Sequence, residues 1–305
     1  MTRPDTSGTP ASGTTAPSVN ASTIHDLGYR RYEGEREGAR GAFRALFWQG
    51  FRAMFGLGRP IKAKAVPVGV SVVTSLPALA SVAASGATQG QLPITYANII
   101  GAQVVLFLLF SAAQAPEMLC RDQQHRVLPL MFTRDVTRTQ YALARLLSLF
   151  TAMFCVALAP LMILYLGEIG VAKDPGATFA TMGSKIGPIL LFATLLAWVM
   201  STMSAFLSSL TARRAYATAA VIGTFLTTVV ISQGLQDLAG MSEATTKMLD
   251  PMETLRTTAM QLFGETKRWM ELTPPPSVWV HVAELTLLGC AACAGLVWRV
   301  RRVSV

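Results

Sequence analysis

Three histidines, four cysteines and one isolated glutamate are the side chains that could carry chemistry here, and the sequence keeps them apart. His25, His125 and His281 fall near the start, the middle and the end of the chain. A metal centre needs three or four ligands converging on one point, and this spacing gathers no such set. Cys290 and Cys293 form a CxxC, yet a redox pair needs an exposed helix start and a lowered thiol pKa. Flanked by Gly289, Ala291 and Ala292, they read as small packing residues. With Cys120 and Cys155 they are too few and too scattered for a disulfide scaffold. No GxxxxGK[ST] occurs, so the chain has no P-loop for ATP. Without a convergent nucleophile, base or metal set, an enzyme is excluded as a reading and no catalytic residue is assigned.

His281 and Glu284 stand at i,i+3 on one face of an apolar stretch, about two turns from its beginning. An ionisable group inside such a stretch is a candidate for a substrate or coupling role. The plainer reading is that both reach water or pair locally near a helix end. Ser201, Thr202, Ser204, Ser208 and Ser209 form a stripe of small polar groups that would either pack helices closely or line a path. His281, Glu284, Ser201 and Ser204 are therefore the candidates for a substrate pathway.

The most informative polar segment is APEMLCRDQQHRVLPLMFTRDVTRTQYALAR, residues 115–145. Pro116 suits a first helical turn and Glu117 suits its positive end. Glu117 with Arg121, and Asp122 with Arg126, are acid-before-base pairs at i,i+4, each adding a few tenths of a kcal/mol. A short charged helix is expected, starting there and ending near Pro129. Thr137-Arg138-Thr139-Gln140 then reads as a capping box that opens the next helix. Such an ordered charged segment either docks another protein or simply carries solvated juxtamembrane charge.

The elements that hold these residues are set by hydropathy. Of 305 residues, 51% are hydrophobic and 14% charged, whereas soluble domains carry about a quarter charged. Six apolar stretches, near 66–85, 93–115, 146–167, 186–209, 215–235 and 277–298, each approach the roughly 20 residues that cross a bilayer. Within them Glu284 is the one acidic residue, and there is no Lys or Arg. The expected fold is an all-α membrane protein of six transmembrane helices. Pro67, Pro77 and Pro160 fall inside spans, where neighbouring helices re-satisfy the freed backbone groups.

Residues 1–23 are nearly all Ser, Thr, Pro, Gly and Ala, which predicts a disordered tail and no signal peptide. From Gly38 to Arg59, Phe43, Leu46, Phe47, Phe51, Met54 and Phe55 recur at helical spacing, with Arg40, Arg44 and Arg52 off that face. This amphipathic helix lies in the membrane interface or, alternatively, faces the core of a cytosolic segment, 24–64. Between spans 5 and 6, Met252, Leu255, Ala259, Leu262, Phe263 and Trp269 mark a second amphipathic stretch, ended by Pro274-Pro275-Pro276. It lies on the outer leaflet, caps a cavity, or packs over the bundle.

Formal charge is +9, from 26 basic and 17 acidic residues. With the N-terminus inside, 20 of the 26 Lys and Arg fall on the cytoplasmic side and six outside, which orients the chain with both termini in the cytoplasm. Basicity is then an orientation signal and a lipid contact, and nucleic acid is not an expected partner. The excess of 20 Arg over 6 Lys and the abundance of Ala fit a high-GC bacterial coding sequence.

The segments IHDLGYRRYEGE (24–35), FGLGRPIKAK (55–64), PEMLCRDQQHRVLPLMFTRDVTRTQYALAR (116–145) and SSLTARRAYATAA (208–220) resemble permease subunits of ABC-2 type transporters, in particular actinobacterial ones. The resemblance implies a six-helix domain over 65–305, an interfacial elbow helix carrying Phe43, Arg44, Phe47, Phe51 and Arg52, and a homodimer or pseudo-dimer in the cell membrane. It also implies a separate ATP-binding subunit, which would hold ATP and magnesium, so this chain needs no cofactor. The helix starting at Glu117 would be the coupling helix, with Glu117, Arg121, Asp122 and Arg126 as contacts and Arg134 fixing the chain into span 3. Cys120 and Asp135 depart from the pattern. The implied function is export of a hydrophobic or amphiphilic compound. The alternative is an ion-coupled secondary transporter using Glu284.

Overall fold

The computed structural model describes residues 38–58, 61–88, 94–125, 131–132, 136–172, 174–241, 243–265 and 276–302. The tail 1–23, segment 24–37, Arg126, Arg134, Asp135, Trp269 and Pro274-Pro275 lie outside them. Among the described residues the regular structure is entirely helical: α1 (Gly38–Met54), α2 (Ile61–Ala87), α3 (Tyr96–Gln124), α4 (Arg138–Val171), α5 (Pro175–Ser209), α6 (Arg214–Ala239), the short α7 (Glu243–Lys247), α8 (Pro251–Phe263) and α9 (Val278–Arg302). Six of these are long and apolar enough to cross a membrane: α2, α3, α4, α5, α6 and α9. They fall on the six stretches that hydropathy marks out.

Helices α4 and α5 form the centre. Phe107 and Phe110 of α3, Leu149, Met153 and Leu161 of α4, and Phe192 of α5 are all shielded to within 2% of full burial. By contrast α2, α6 and α9 leave most of their apolar surface outward, with Val72, Leu76, Leu226, Val230 and Leu287 exposed. Leucine on the outside is stable where the surroundings are lipid or a second protein.

One expectation changes. No separate charged helix begins at Pro116, because α3 runs on without a break from Tyr96 to Gln124 with Pro116 inside it. A proline lacks the N–H that would bond the carbonyl four residues earlier, which here is that of Ala112. The hydroxyl of Thr218 on α6 donates to that carbonyl at 3.0 Å. A neighbouring span thus supplies the missing donor, and the helix continues. Beside Pro77 of α2, Gln103 Nε2 donates to the carbonyl of Thr74 at 2.6 Å.

The capping box is present as read: Thr137 Oγ1 accepts the Gln140 N–H at 3.2 Å while Gln140 Oε1 accepts the Thr137 N–H at 2.9 Å. The second amphipathic stretch also folds as a helix, α8, but it stops earlier than the prolines. Gly264 adopts a left-handed φ of 70° and the Glu265 N–H closes on the Met260 carbonyl at 2.8 Å. This glycine-type cap satisfies the last carbonyls and ends the helix. Leu255, Ala259 and Met260 are buried, and α8 packs on α3, α5 and α9. Packing over the bundle is therefore its arrangement.

Helix α1 buries Leu46, Gly50 and Met54, chiefly against α4. Phe43, Phe47, Phe51 and Phe55 flank that line half-buried, and Arg40, Arg44 and Arg52 point outward. Gly50 permits the approach: a Cβ there would stand 2.8 Å from Ser148 Cβ. Ser148 Oγ in turn donates to the Phe47 carbonyl at 2.9 Å.

Candidate functional site

The arginine-bearing ends of α3, α4 and α9 converge with the end of α5 and the start of α6, and Glu117, Arg121 and Asp122 gather there. Glu117 holds Arg121 on its own helix at 3.3 Å and Arg214, the first residue of α6, at 2.7 Å. Cys120 is buried with Sγ 3.3 Å from the Ser208 carbonyl and 3.2 Å from that of Thr211. Gln123 Nε2 donates to the Ser209 carbonyl at 3.4 Å. The last carbonyls of a helix have no partner within it, so the end of α3 caps the end of α5.

Asp122 meets Arg145 of α4 at 2.7 Å, with side-chain exposures of 14% and 5%, and the Tyr141 hydroxyl donates to the same Oδ2 at 2.7 Å. The Arg145 guanidinium also lies over the Tyr141 ring, 5.6 Å from its centroid. Thus Asp122 faces inward and ties α3 to α4, while Arg121, Gln124 and His125 are exposed at this end of α3. Arg126 and Arg134 fall outside the described residues. The carboxy-terminal helix joins the same end: Arg138 donates to the Arg301 carbonyl at 2.8 Å, and Arg301 Nε to Thr139 Oγ1 at 3.1 Å.

Arg145, Tyr141 and Arg214 are the members that pattern reading misses. Their partners lie 19 to 97 residues away in the chain, so no local spacing announces them. The available signal for Arg145 is its position at the edge of an apolar run, where an unpaired charge is costly.

The pathway candidates separate. His281 is buried, with Nδ1 3.0 Å from Gln261 Oε1 of α8, while Gln261 Nε2 donates to the Pro276 carbonyl at 2.8 Å. This polar chain fastens α9 to α8. Glu284 is half-buried, and its Oε2 is enclosed with no hydrogen-bond partner among the described residues. Ser201 and Ser204 are fully buried in the bundle. Ser201 Oγ donates to the Trp198 carbonyl at 3.3 Å, and Ser204 Oγ has no partner among the described residues. Cys290 is exposed on the outside of α9, and Cys293 is half-buried against the core.

At the opposite end Glu265 does work that sequence spacing does not suggest. Its carboxylate accepts the N–H of Tyr96 at 2.5 Å and of Ala97 at 3.0 Å, capping the first turn of α3. Glu168 joins the cluster, accepting from the Tyr96 hydroxyl at 2.9 Å and from Lys185 at 2.7 Å. The Tyr96 ring stacks on Phe263 at 4.9 Å. Burial pushes the Glu265 carboxyl above its ordinary value of 4.5, against the N–H groups of Ala97, Tyr96 and Asn98 and the charge of Lys185, which pull it down. Burial moves Asp250, the N-cap of α8, in the same direction.

A carboxyl raised in the folded state binds its proton more tightly there than in the unfolded chain. Its contribution to stability is complete below the ordinary value and lost as pH rises through the raised one. Thermal melting of the purified protein should therefore fall as pH climbs from 4.5 toward neutrality, and Glu265→Gln should flatten that slope. An unchanged slope in the variant would assign the pH dependence elsewhere.

The sequence signature described as ABC-2 family transporter protein matches residues 59–249, more than half of the 305. No curated protein matches the chain. The matched stretch runs from the start of the first span, through the Glu117 and Asp122 clusters, to the turn before α8. Six membrane-spanning helices bound together in this way, with that match, place the chain in the ABC-2 transporter family.

Proposed function

We propose that the chain is the permease subunit of an ATP-driven exporter of a hydrophobic or amphiphilic compound, and that a separate ATP-binding subunit docks on the arginine-rich end. The observation that carries this is the end of α3. The exposed Arg121 sits on the same two turns that grip α4 through Asp122, the α5–α6 turn through Cys120 and Gln123, and α6 through Glu117. A push on that end reaches three spans through short polar contacts. ATP and magnesium belong to the partner, and a second permease copy or homologue completes the path.

The arginine-rich end is then cytoplasmic, both termini with it, in the cell membrane of a bacterium. In that setting α1 lies in the interface, with Trp48 54% exposed toward lipid and Arg40 and Arg52 toward headgroups.

A second reading rests on Glu284, whose enclosed Oε2 lacks a partner among the described residues: an ion-coupled carrier would use it. Two measurements separate the readings. Transport in vesicles should stop when the partner's ATP hydrolysis is blocked, and transport persisting on a proton gradient alone would favour the carrier. Glu117→Lys sets a third cation beside Arg121 and Arg214, and like charges at a docking face weaken binding by several kcal/mol. Transport should drop about tenfold or more, with the ATPase lost on co-purification. Normal co-purification with unchanged transport would refute the docking role.

A further inference from the structure

Helix α3 carries its one internal proline, the buried Pro116, immediately before the arginine-rich end, residues 117–124. A proline offers no N–H to the carbonyl four residues earlier, and its ring presses on that carbonyl, so a helix bends most easily there. A movement imposed on Glu117 or Arg121 therefore meets a weak point before it reaches the rest of the span.

The first two turns of α6 lie across that point. On the side of the arginine-rich end, Arg214 Nη1 meets Glu117 Oε2 at 2.7 Å. On the other side Thr218, one turn further along α6, donates its hydroxyl at 3.0 Å to the Ala112 carbonyl that Pro116 leaves open. The two contacts differ in stiffness. The Arg214 side chain is 59% exposed, and an ion pair on a long solvated arginine contributes little and holds its geometry loosely. Ala112 is buried at 1% exposure, and the short threonine side chain holds it directly against the α6 backbone.

Thr218 also differs from threonines of other spans. Thr151, Thr194, Thr202 and Thr286 each donate to the carbonyl four residues earlier in their own helix, at 2.7 to 2.8 Å. Such back-bonding is how a threonine satisfies itself inside an apolar helix. Thr218 has the Arg214 carbonyl at the same spacing and donates to α3 instead.

We propose that Thr218 is a positioning residue for coupling: α6 splints α3 across Pro116, so that movement of a docked ATP-binding subunit travels the length of α3 to its outer end. The inference rests on the docking reading above and adds the residue that lets the docking end act at a distance. The competing explanation is that the Glu117–Arg214 pair alone holds α3 in line.

The test is hydrogen–deuterium exchange on the permease in complex with its ATP-binding subunit in detergent, without nucleotide and after trapping with ATP and vanadate. In the wild type, trapping should alter exchange at 117–124 and also at 96–101, where Glu265 caps the Tyr96 and Ala97 N–H groups. Thr218→Val has nearly the same shape without the donor. It should retain the ATP-binding subunit and the response at 117–124, and lose the response at 96–101. Without nucleotide, exchange just beyond Pro116 should rise by about two- to tenfold, the range for one net hydrogen bond. Thr218→Ser keeps the hydroxyl and should behave as wild type. Pro116→Ala combined with Thr218→Val returns an N–H to the Ala112 carbonyl and should restore the response at 96–101, a rescue that a merely destabilised protein would not show. Thr218→Ala serves in both roles if the valine variant does not fold.

A full response at 96–101 in Thr218→Val, a loss that Pro116→Ala fails to restore, or a loss of the ATP-binding subunit itself would overturn the splint and leave the docking reading standing. So would a wild-type response at 117–124 that never reaches 96–101. A wild-type complex in which 117–124 ignores the nucleotide would overturn the docking reading, and the role of Thr218 in coupling with it.

Discussion

Asp122→Ala should be the most damaging single substitution at the arginine-rich end, lowering stability by about 3 to 5 kcal/mol, the range for removing one partner of a buried ion pair. Arg145 is 5% exposed, so its charge has no water to turn to once the carboxylate 2.7 Å away is gone. The Tyr141 hydroxyl loses its acceptor in the same step. Much of this cost is the stranded charge itself, which makes a sharp control possible. The double variant Asp122→Leu with Arg145→Met removes both charges and should be more stable than Asp122→Ala alone. Thermal melts of the three proteins in one detergent decide it. A single variant that melts like wild type, or a double variant no better than the single, would show that the pair does not hold α3 to α4.

Gly289→Leu should separate α9 from α5. A Cβ at Gly289 would meet the Trp198 indole at Nε1 and Cδ1, and would lie 2.9 Å from Cε2. Trp198 has little room to retreat, because its Nε1–H donates to the Thr286 carbonyl at 3.4 Å and its ring meets Phe150 edge-on at 6.3 Å. Removing a helical glycine gains at most about 1 kcal/mol of propensity, whereas overpacking a tight contact costs roughly 1 to 3 kcal/mol. The clash wins, and the melting temperature should fall. Trp198→Ala in the same chain makes space for the leucine, so the double variant should lose less than the sum of the singles. Strict additivity would mean that the two residues do not oppose each other.

Both predictions rest on contacts that no stretch of sequence displays. What could be read in advance is what the chain settles over a few turns. Six apolar runs are legible because crossing a bilayer takes about 20 residues whatever the fold. The Thr137–Gln140 box is legible because its partners are three residues apart. The Glu117–Arg121 pair is legible for the same reason. Pro116 misleads because a proline starts a helix when nothing replaces its missing N–H and sits inside one when a neighbour does. Thr218, 102 positions later in the chain, decides between these. The Asp122–Arg145 contact is not legible at all, since its partners stand 23 positions apart and meet only when α4 is placed beside α3.

By itself the sequence determined the environment of this protein and the number of its crossings, because transfer into lipid depends on composition over short windows. The tertiary structure alone decided which groups face each other: Arg145 under Asp122, Glu265 on the first turn of α3, Arg256 against Gly101. Coulomb and hydrogen-bond energies fall off within a few ångströms in space and are indifferent to separation along the chain, so partners far apart in sequence become visible only when the helices are packed.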